Sequence, residues 1–316
     1  MIKIPSFLIL ALVLTSLMVS SKASTYPVKP IRIIAPEIGG ASDLVARLVA
    51  RDLSTQLNQN IIIDNRPAIA PELASKASPD GYTLLSYGSP LWISGLLFDK
   101  VAWNPLKSFH AITLASSSPN ILVVNPNLVV NNVKELISLA KNNPGTLNFG
   151  SGTNGAITHL AGELFNLTAG IKTVRIAFKG NGPALNALIG GQVHIMFSNA
   201  GGIMPYIYAK RVRALAVTGD HSFSLTPELP TMIEAGLKDF KADVPTGFFA
   251  PAGISAKLSE QIGKNIINVL KNPNLKEVFM KMGIEVIASS SGEFTDYIKS
   301  DMQKWQQVIK KADIHN

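Results

Sequence analysis

The sequence predicts an α/β fold of two lobes, each built on a mixed sheet with flanking helices, with a cleft between them. Three observations carry this expectation. Apolar, β-branched runs alternate with helical stretches along most of the chain, and repeated βα units imply parallel or mixed sheets covered by helices on both faces. Two extended apolar segments, each ended by proline, divide the chain. The length of 316 residues, with a hydrophobic fraction of 47%, exceeds what one compact core usually uses.

Taken in order, residues 1–23 read as an export signal. Lys3 precedes the apolar run Phe7 to Leu14, and Ser21-Lys22-Ala23 is a small-x-small cleavage site. Thr15, Ser16 and Ser20 interrupt the run, which falls short of the ~20 apolar residues that span a bilayer. No cysteine follows it to accept a lipid. Ile31 to Ile34 then predicts a strand, and Leu44 to Leu57 a helix with Leu44, Val45, Leu48, Val49 and Leu53 as its apolar positions. Ile61 to Ile63 and Tyr82 to Leu85 predict two more strands. The run Ile121 to Pro126 is expected to cross into the second lobe.

Beyond the crossing, the helix Val133–Lys141 is stopped by Pro144-Gly145. Strand Leu147–Phe149, helix Ile157–Leu167, strand Val174–Phe178, a short helix after Pro183, strand Val193–Phe197, a helix near Tyr206–Ala209 and strand Ala214–Val217 follow. The run Thr246 to Pro251 is the expected return. The lobes are therefore expected at 24–124 with 246–316, and at 125–245 as an insertion. A cleft between two such lobes is a common place for a small ligand.

Composition removes several chemistries. There is no cysteine, hence no disulfide scaffold, thiol nucleophile, iron–sulfur cluster or common structural zinc site. The net charge of +8 falls to +6 when residues 1–23, with Lys3 and Lys22, are removed. What remains is interleaved: Lys257, Lys264, Lys271, Lys276 and Lys281 alternate with Glu260, Glu277 and Glu285, the pattern of a solvated helix face and not of a nucleic-acid patch. The five histidines, His110, His159, His194, His221 and His315, are scattered without metal-ligand spacing. Ser151 has Phe149 where a nucleophile elbow needs glycine. No catalytic residue, metal or cofactor is therefore assigned. Trp92, Trp103 and Trp305 are expected to pack in the interior.

Three glycine-rich turns join strands to helices. Gly150-Ser151-Gly152-Thr153-Asn154-Gly155 matches the dinucleotide fingerprint in form, but the window about 20 residues on, around Arg175, holds no acid for a ribose. Its helix start, with the Ser151 and Thr153 hydroxyls, still suits a carboxylate or another acceptor-rich group, and a turn that needs glycine for its backbone explains it equally well. Glu37-Ile38-Gly39-Gly40-Ala41-Ser42-Asp43 and Lys179-Gly180-Asn181-Gly182-Pro183 are of the same type, one in each expected lobe.

Motifs along the mature chain resemble one family. Tyr26-Pro27-Val28-Lys29-Pro30-Ile31-Arg32, Gly39-Gly40 with Asp43, Asn65-Arg66-Pro67, Pro79-Asp80-Gly81-Tyr82-Thr83-Leu84, Lys179 to Leu185, Gly190-Gly191-Gln192-Val193, Arg213 to Thr218 and Ala250-Pro251-Ala252-Gly253 occur in the order seen in the Bug-type solute-binding proteins of tripartite tricarboxylate transporters. The resemblance implies a two-lobed periplasmic-binding-protein fold, type II-like, in a non-catalytic receptor. Such a receptor closes on a small ligand, typically a carboxylate, and hands it to a membrane permease. It also implies a periplasmic location, a monomeric mature protein and no cofactor. A sensor protein is a second conceivable partner, and an exported hydrolase on a similar scaffold is the competing class.

Carried onto this chain, the family's ligand loop is residues 37–43, faced by Gly150 to Thr153 and by Lys179-Gly180. The candidate ligand residues are Glu37, Ile38, Gly39, Gly40, Ser42, Asp43, Ser89, Ser151, Gly152, Thr153, Lys179, Gly180 and Ser198. Three departures from the family pattern stand out. Glu37 brings a negative charge into the first loop, Ala68-Ile69-Ala70 replaces a glycine run after Pro67, and Ser198 stands where an aspartate is common. A carboxylate at Glu37 facing a ligand carboxylate would be unfavourable without a cation, which favours a ligand that carries an amino or amide group.

Overall fold

The computed structural model describes residues 26–314; the export signal expected over 1–23 lies outside them. The chain opens with β1 (Ile31–Ala35), α1 (Ala41–Leu57), β2 (Ile61–Asn65), α2 (Ala70–Ser75), β3 (Thr83–Gly88), α3 (Pro90–Leu97) and β4 (Phe109–Ser118). It continues through β5 (Asn120–Val124), α4 (Val133–Asn142), β6 (Asn148–Ser151), α5 (Ile157–Ala169), β7 (Val174–Ala177), α6 (Asn181–Ile189), β8 (Ile195–Asn199), α7 (Ala200–Tyr208) and β9 (Arg213–Val217). It ends with β10 (Val244–Pro251), α8 (Ala256–Leu270), α9 (Pro273–Lys281), β11 (Glu285–Val286) and α10 (Ser291–Lys311).

Two sheets result. The first has six strands in the order β11-β4-β10-β3-β1-β2, and the second has five in the order β7-β6-β8-β5-β9. Each is mixed. β1 runs parallel to β2 and β3, whereas β10 is antiparallel to both β3 and β4. In the second sheet β6 is parallel to β7 and β8, and β5 is antiparallel to β8 and β9.

Sheet membership corrects the expected lobe limits. Asn120–Val124 does not close the first lobe: it pairs with β8 and β9 inside the second sheet, so the chain crosses at Pro119. The return falls just before Val244, which already pairs with Ser118 in the first sheet. Both segments that read as connections are strands flanked on both sides, and the burial of every residue of β5 explains their unbroken apolar character. The helix expected near Tyr206–Ala209 begins earlier, because the Asn199 side chain accepts the Gly201 N–H and caps α7.

The two crossings are tied together. Asn120 donates its backbone N–H to Thr218 Oγ1 at 2.9 Å and its Nδ2 to the Ala242 carbonyl at 2.5 Å. Thr218 Oγ1 donates to Asp243 Oδ1 at 2.9 Å. Burial pushes the Asp243 carboxyl up to about 6, although the Thr218 hydrogen bond and Lys241 and Lys304 act against it.

One apolar core runs through both lobes, joining Trp92, Phe249 and Phe294 to Phe149, Phe165 and Phe197. α10 spans it, packing against β4 and α3 on one side and α5 on the other. Its start is fixed by a capping box between Ser290 and Glu293. Trp92 and Trp305 are buried, and both indole N–H groups donate to Asp301 Oδ2, at 2.8 and 3.0 Å. Lys304 neutralises that carboxylate at 2.6 Å. Trp103 bonds the Leu91 carbonyl, so all three tryptophans pack or brace the interior.

Candidate ligand-binding site

The C-terminal ends of β1, β3 and β6 and the helices that follow them face one another across the cleft. The turns between them enclose a cavity of about 430 Å³. Glu37, Ala41, Ser42, Tyr87 and Ser89 line it from the first lobe, and Thr153 to Ile157 from the second. Ile93, Leu97 and Phe98 of the α3 region add an aliphatic and aromatic wall. A second cavity, of about 640 Å³, lies against the same Ala41, Ile157 and Val244. Its polar lining includes Asn120, Asn181 and Asn199, and among the described residues that line it Lys281 is the one charged side chain, paired with Glu277 at 2.7 Å.

The first loop is shaped by a buried carboxylate. Gly39 takes φ of +81°, a conformation glycine adopts without strain, and Gly40 N–H closes the turn on the Glu37 carbonyl. Asp43 then collects three donors: the Gly39 N–H at 2.9 Å, Asn65 Nδ2 at 2.8 Å and Arg47, whose Nε lies at 3.0 Å. Asn65 Nδ2 also reaches the Pro36 carbonyl. Burial alone would raise the Asp43 pKa, but the hydrogen bonds from Arg47, Asn65 and Gly39 outweigh it and hold the carboxyl below the usual carboxylate range. Ser86 Oγ donates to the Ser42 carbonyl at 2.9 Å and fastens the start of α1 to β3.

The second loop is shaped by a guanidinium. Arg175, on β7, donates Nε to Ser151 Oγ at 2.8 Å, Nη1 to Asn154 Oδ1 at 3.1 Å and Nη2 to the Gly152 carbonyl at 3.0 Å. The Gly152 and Gly155 N–H groups go to Thr158 Oγ1 and His159 Nδ1. Burial, reinforced by the nearby Arg175 charge, brings His159 down to about 4, so the ring is neutral and its Nδ1 accepts. Ile157 and Thr158 are the first residues of α5, so their N–H groups have no acceptor within the helix itself. Neither α1 nor α5 has a side chain capping its start.

Of the residues expected at the ligand, the structure brings Glu37, Ser42, Ser89 and Thr153 to the first cavity and Gly39 to the second. The others line neither. Asp43 is consumed in holding the loop, and Gly40 is the residue before α1. Ile38 is 77% exposed. Ser151 is buried with its hydroxyl taken by Arg175, and Gly152 gives Arg175 its carbonyl. Lys179 and Gly180 stop short of both walls, where Asn181 reaches instead, and Ser198 is buried within β8.

Residues that the sequence reading passed over are Tyr87, Asn154 and the positioning residue Arg175. Tyr87-Gly88-Ser89-Pro90 is a fourth strand-to-helix turn of the kind already noted at three places, and that likeness is the signal that would have found Tyr87. Burial, together with the nearby Glu37 carboxylate, pushes its hydroxyl up to about 12. Arg175 stood in the window searched for an acid, where a base is what the loop's carbonyl and hydroxyl oxygens require.

Two α/β lobes around a cavity walled by strand-to-helix turns define a solute-binding receptor of the two-lobed class. Residues 45–314 match the tripartite tricarboxylate transporter family receptor. The chain is 30% identical over 297 residues to protein BugT of Bordetella pertussis, covering 92% of this chain and 91% of that one. Among solved structures, R. palustris Rpa4515 with adipate is similar at a TM-score of 0.80 and 27% identity, over 92% of this chain and 99% of that one. MatC from Rhodopseudomonas palustris with bound malate is similar at 0.75 and 25%, over 90% and 100%. This chain belongs to the tripartite tricarboxylate transporter receptor family. It is a solute receptor of that transporter class, in a family whose members include periplasmic binding proteins.

Proposed function

We propose that this receptor holds a small carboxylate in the cavity between its lobes, at the facing starts of α1 and α5, and passes it unchanged to a membrane permease. The observation that carries the placement is that Ala41-Ser42 and Ala156-Ile157, from opposite lobes, line one cavity. Helix starts offer N–H donors and the positive end of the helix dipole, which favour an anion. The adipate-bound and malate-bound relatives support a carboxylate as the ligand class. The protein acts by binding, without turnover, as an exported monomer after loss of residues 1–23. A sensor that contacts the closed form is the second conceivable partner.

Ala41 lines both cavities, so Ala41→Phe fills the cleft. Calorimetric titration with adipate, malate and the solute released from freshly purified protein should show one site per chain in the parent and none in the variant, with circular dichroism unchanged. Undiminished binding by Ala41→Phe would place the ligand elsewhere. Recovery of the released solute with an altered mass after incubation would instead indicate an enzyme.

A further inference from the structure

The two walls of the ligand cavity differ in charge, and the difference specifies more about the solute than a carboxylate. Among the described residues lining this cavity, Glu37 is the one charged side chain. It is exposed and lines the cleft beside Tyr87, whose hydroxyl is pushed up to about 12 by burial and, to a lesser extent, by the Glu37 charge. Its Oε1 lies 3.2 Å from where a Cβ on Gly40 would stand, so the carboxylate folds over the start of α1. Asp43 occupies the first turn of the same helix. Asp43 is paired with Arg47 at 2.9 Å, which leaves Glu37 as the acid that faces the cleft at the positive end of α1.

α5 presents the opposite case. It has no acid in its first turn and no capping side chain, and Arg175 stands behind its loop on the acceptor atoms of Ser151, Gly152 and Asn154. The second lobe therefore offers donors and positive potential, and the first offers a carboxylate. Between them, Ile93, Leu97 and Ile157 form an apolar wall.

We infer that the solute is a zwitterion or a similar compound with a nitrogen donor, whose carboxylate is held at the start of α5 and whose nitrogen is held by Glu37, and that Glu37 selects against dicarboxylates. The inference rests on the carboxylate-receptor reading above and deepens it. A second carboxylate beside Glu37 would face a like charge in a partly enclosed cavity with no basic side chain in its lining, whereas an ammonium or N–H group would gain a charge-assisted hydrogen bond.

The test is calorimetric titration of the full mature protein and of Glu37→Gln with matched probes: 6-aminohexanoate, hexanoate and adipate; 4-aminobutyrate, butyrate and succinate; L-leucine and 4-methylpentanoate. In each set that binds, the nitrogen-bearing member should bind the parent at least about tenfold tighter than its partners, the scale of one charge-assisted contact. Glu37→Gln should abolish that preference and raise the affinity for the dicarboxylate. Because Glu37 is exposed, the variant should keep its fold, which circular dichroism checks. Preference of the parent for adipate, succinate or the plain acids overturns the inference and leaves the receptor reading intact. An unchanged preference in Glu37→Gln does the same. Failure of every carboxylate to bind overturns both.

Discussion

The two loops that face each other across the cleft are built alike and held by groups of opposite sign. In the first lobe, residues 36–43 fold around the Asp43 carboxylate, which gathers N–H donors from Gly39, Asn65 and Arg47. In the second, residues 151–154 fold around the Arg175 guanidinium, which gathers oxygen acceptors from Ser151, Gly152 and Asn154. A glycine-rich turn exposes both kinds of backbone group, and a buried one must find a partner. Each hub takes only one of those backbone groups, the Gly39 N–H or the Gly152 carbonyl, and its other bonds are to side chains. An acid thus stands behind the first loop and a base behind the second.

The largest test of this comparison is Arg175→Met. It strips three acceptors of a charged donor at once, and loss of about 3 kcal/mol of stability is expected, read by urea unfolding, with at least a tenfold rise in ligand Kd as loop 151–154 is released. Arg175→Lys should not restore affinity, because a single ammonium cannot span three acceptors in the guanidinium plane. Near-parental binding by Arg175→Met would show that the second loop has another support.

Gly155→Ala comes next. Gly155 has φ of +73°, and a Cβ there would lie 2.2 Å from Leu97 Cδ1 of the first lobe. The backbone alone costs an alanine about 1–2 kcal/mol, and Leu97 must turn aside or the lobes part to make room, so ligand affinity should fall several-fold. Adding Leu97→Ala should recover the steric part of the loss while the backbone part persists. Without such recovery, contact between the lobes at this point does not govern affinity.

Asp43→Asn should cost about 1–2 kcal/mol at neutral pH, the counterpart of the arginine experiment with the sign reversed. Because the folded carboxyl titrates below its ordinary value of 3.8, its stabilising contribution is fully present above that pH and is lost as the pH falls through the lower folded value. The difference between parent and variant should therefore shrink in acid. A difference that stays constant with pH would mean that packing, and not charge, holds the first loop.

The last test leaves stability at neutral pH unchanged and is read only in acid, at His159, whose ring stays neutral in the fold down to about pH 4 against 6.5 when free. The unfolded chain takes up the proton first, so stability falls as the pH drops from 6.5 towards 4. Replacing the ring with His159→Gln should flatten the melting temperature over that interval. An equally steep profile in the variant would assign the acid sensitivity to another group.

Much of the architecture was legible because it is local. β1, β2 and β6 to β9 stand within two residues of the apolar runs that predicted them, and α1, α4 and α5 follow their apolar periodicity and their glycine or asparagine boundaries. β4 escaped notice because it lies inside the sheet and ends in Ser116-Ser117-Ser118, with neither alternation nor a sustained apolar run. α3 is short and starts at a Ser-Pro that reads as a turn. The cavity was half legible. The glycine turns marked where a ligand approaches the chain, but polarity of a residue type does not say which way its side chain is committed: Ser42 and Thr153 reach the cavity, while Asp43 and Ser151 serve the scaffold behind it.

What the sequence determined by itself is therefore the alternation of strand and helix, the turns that can open onto a ligand, and the odd acid at Glu37. These follow from side-chain periodicity and backbone freedom within a few residues. Only the tertiary structure decided that the chain changes lobes at Pro119, since that depends on Asn120 pairing with Asn199 and on Val244 pairing with Ser118, partners far apart in the chain. It alone decided, too, that Asp43 and Arg175 stand behind the walls and Glu37 in front. The physical reason is that a buried polar group takes the first partners the fold supplies, and those partners come from strands that meet only when the sheets have formed.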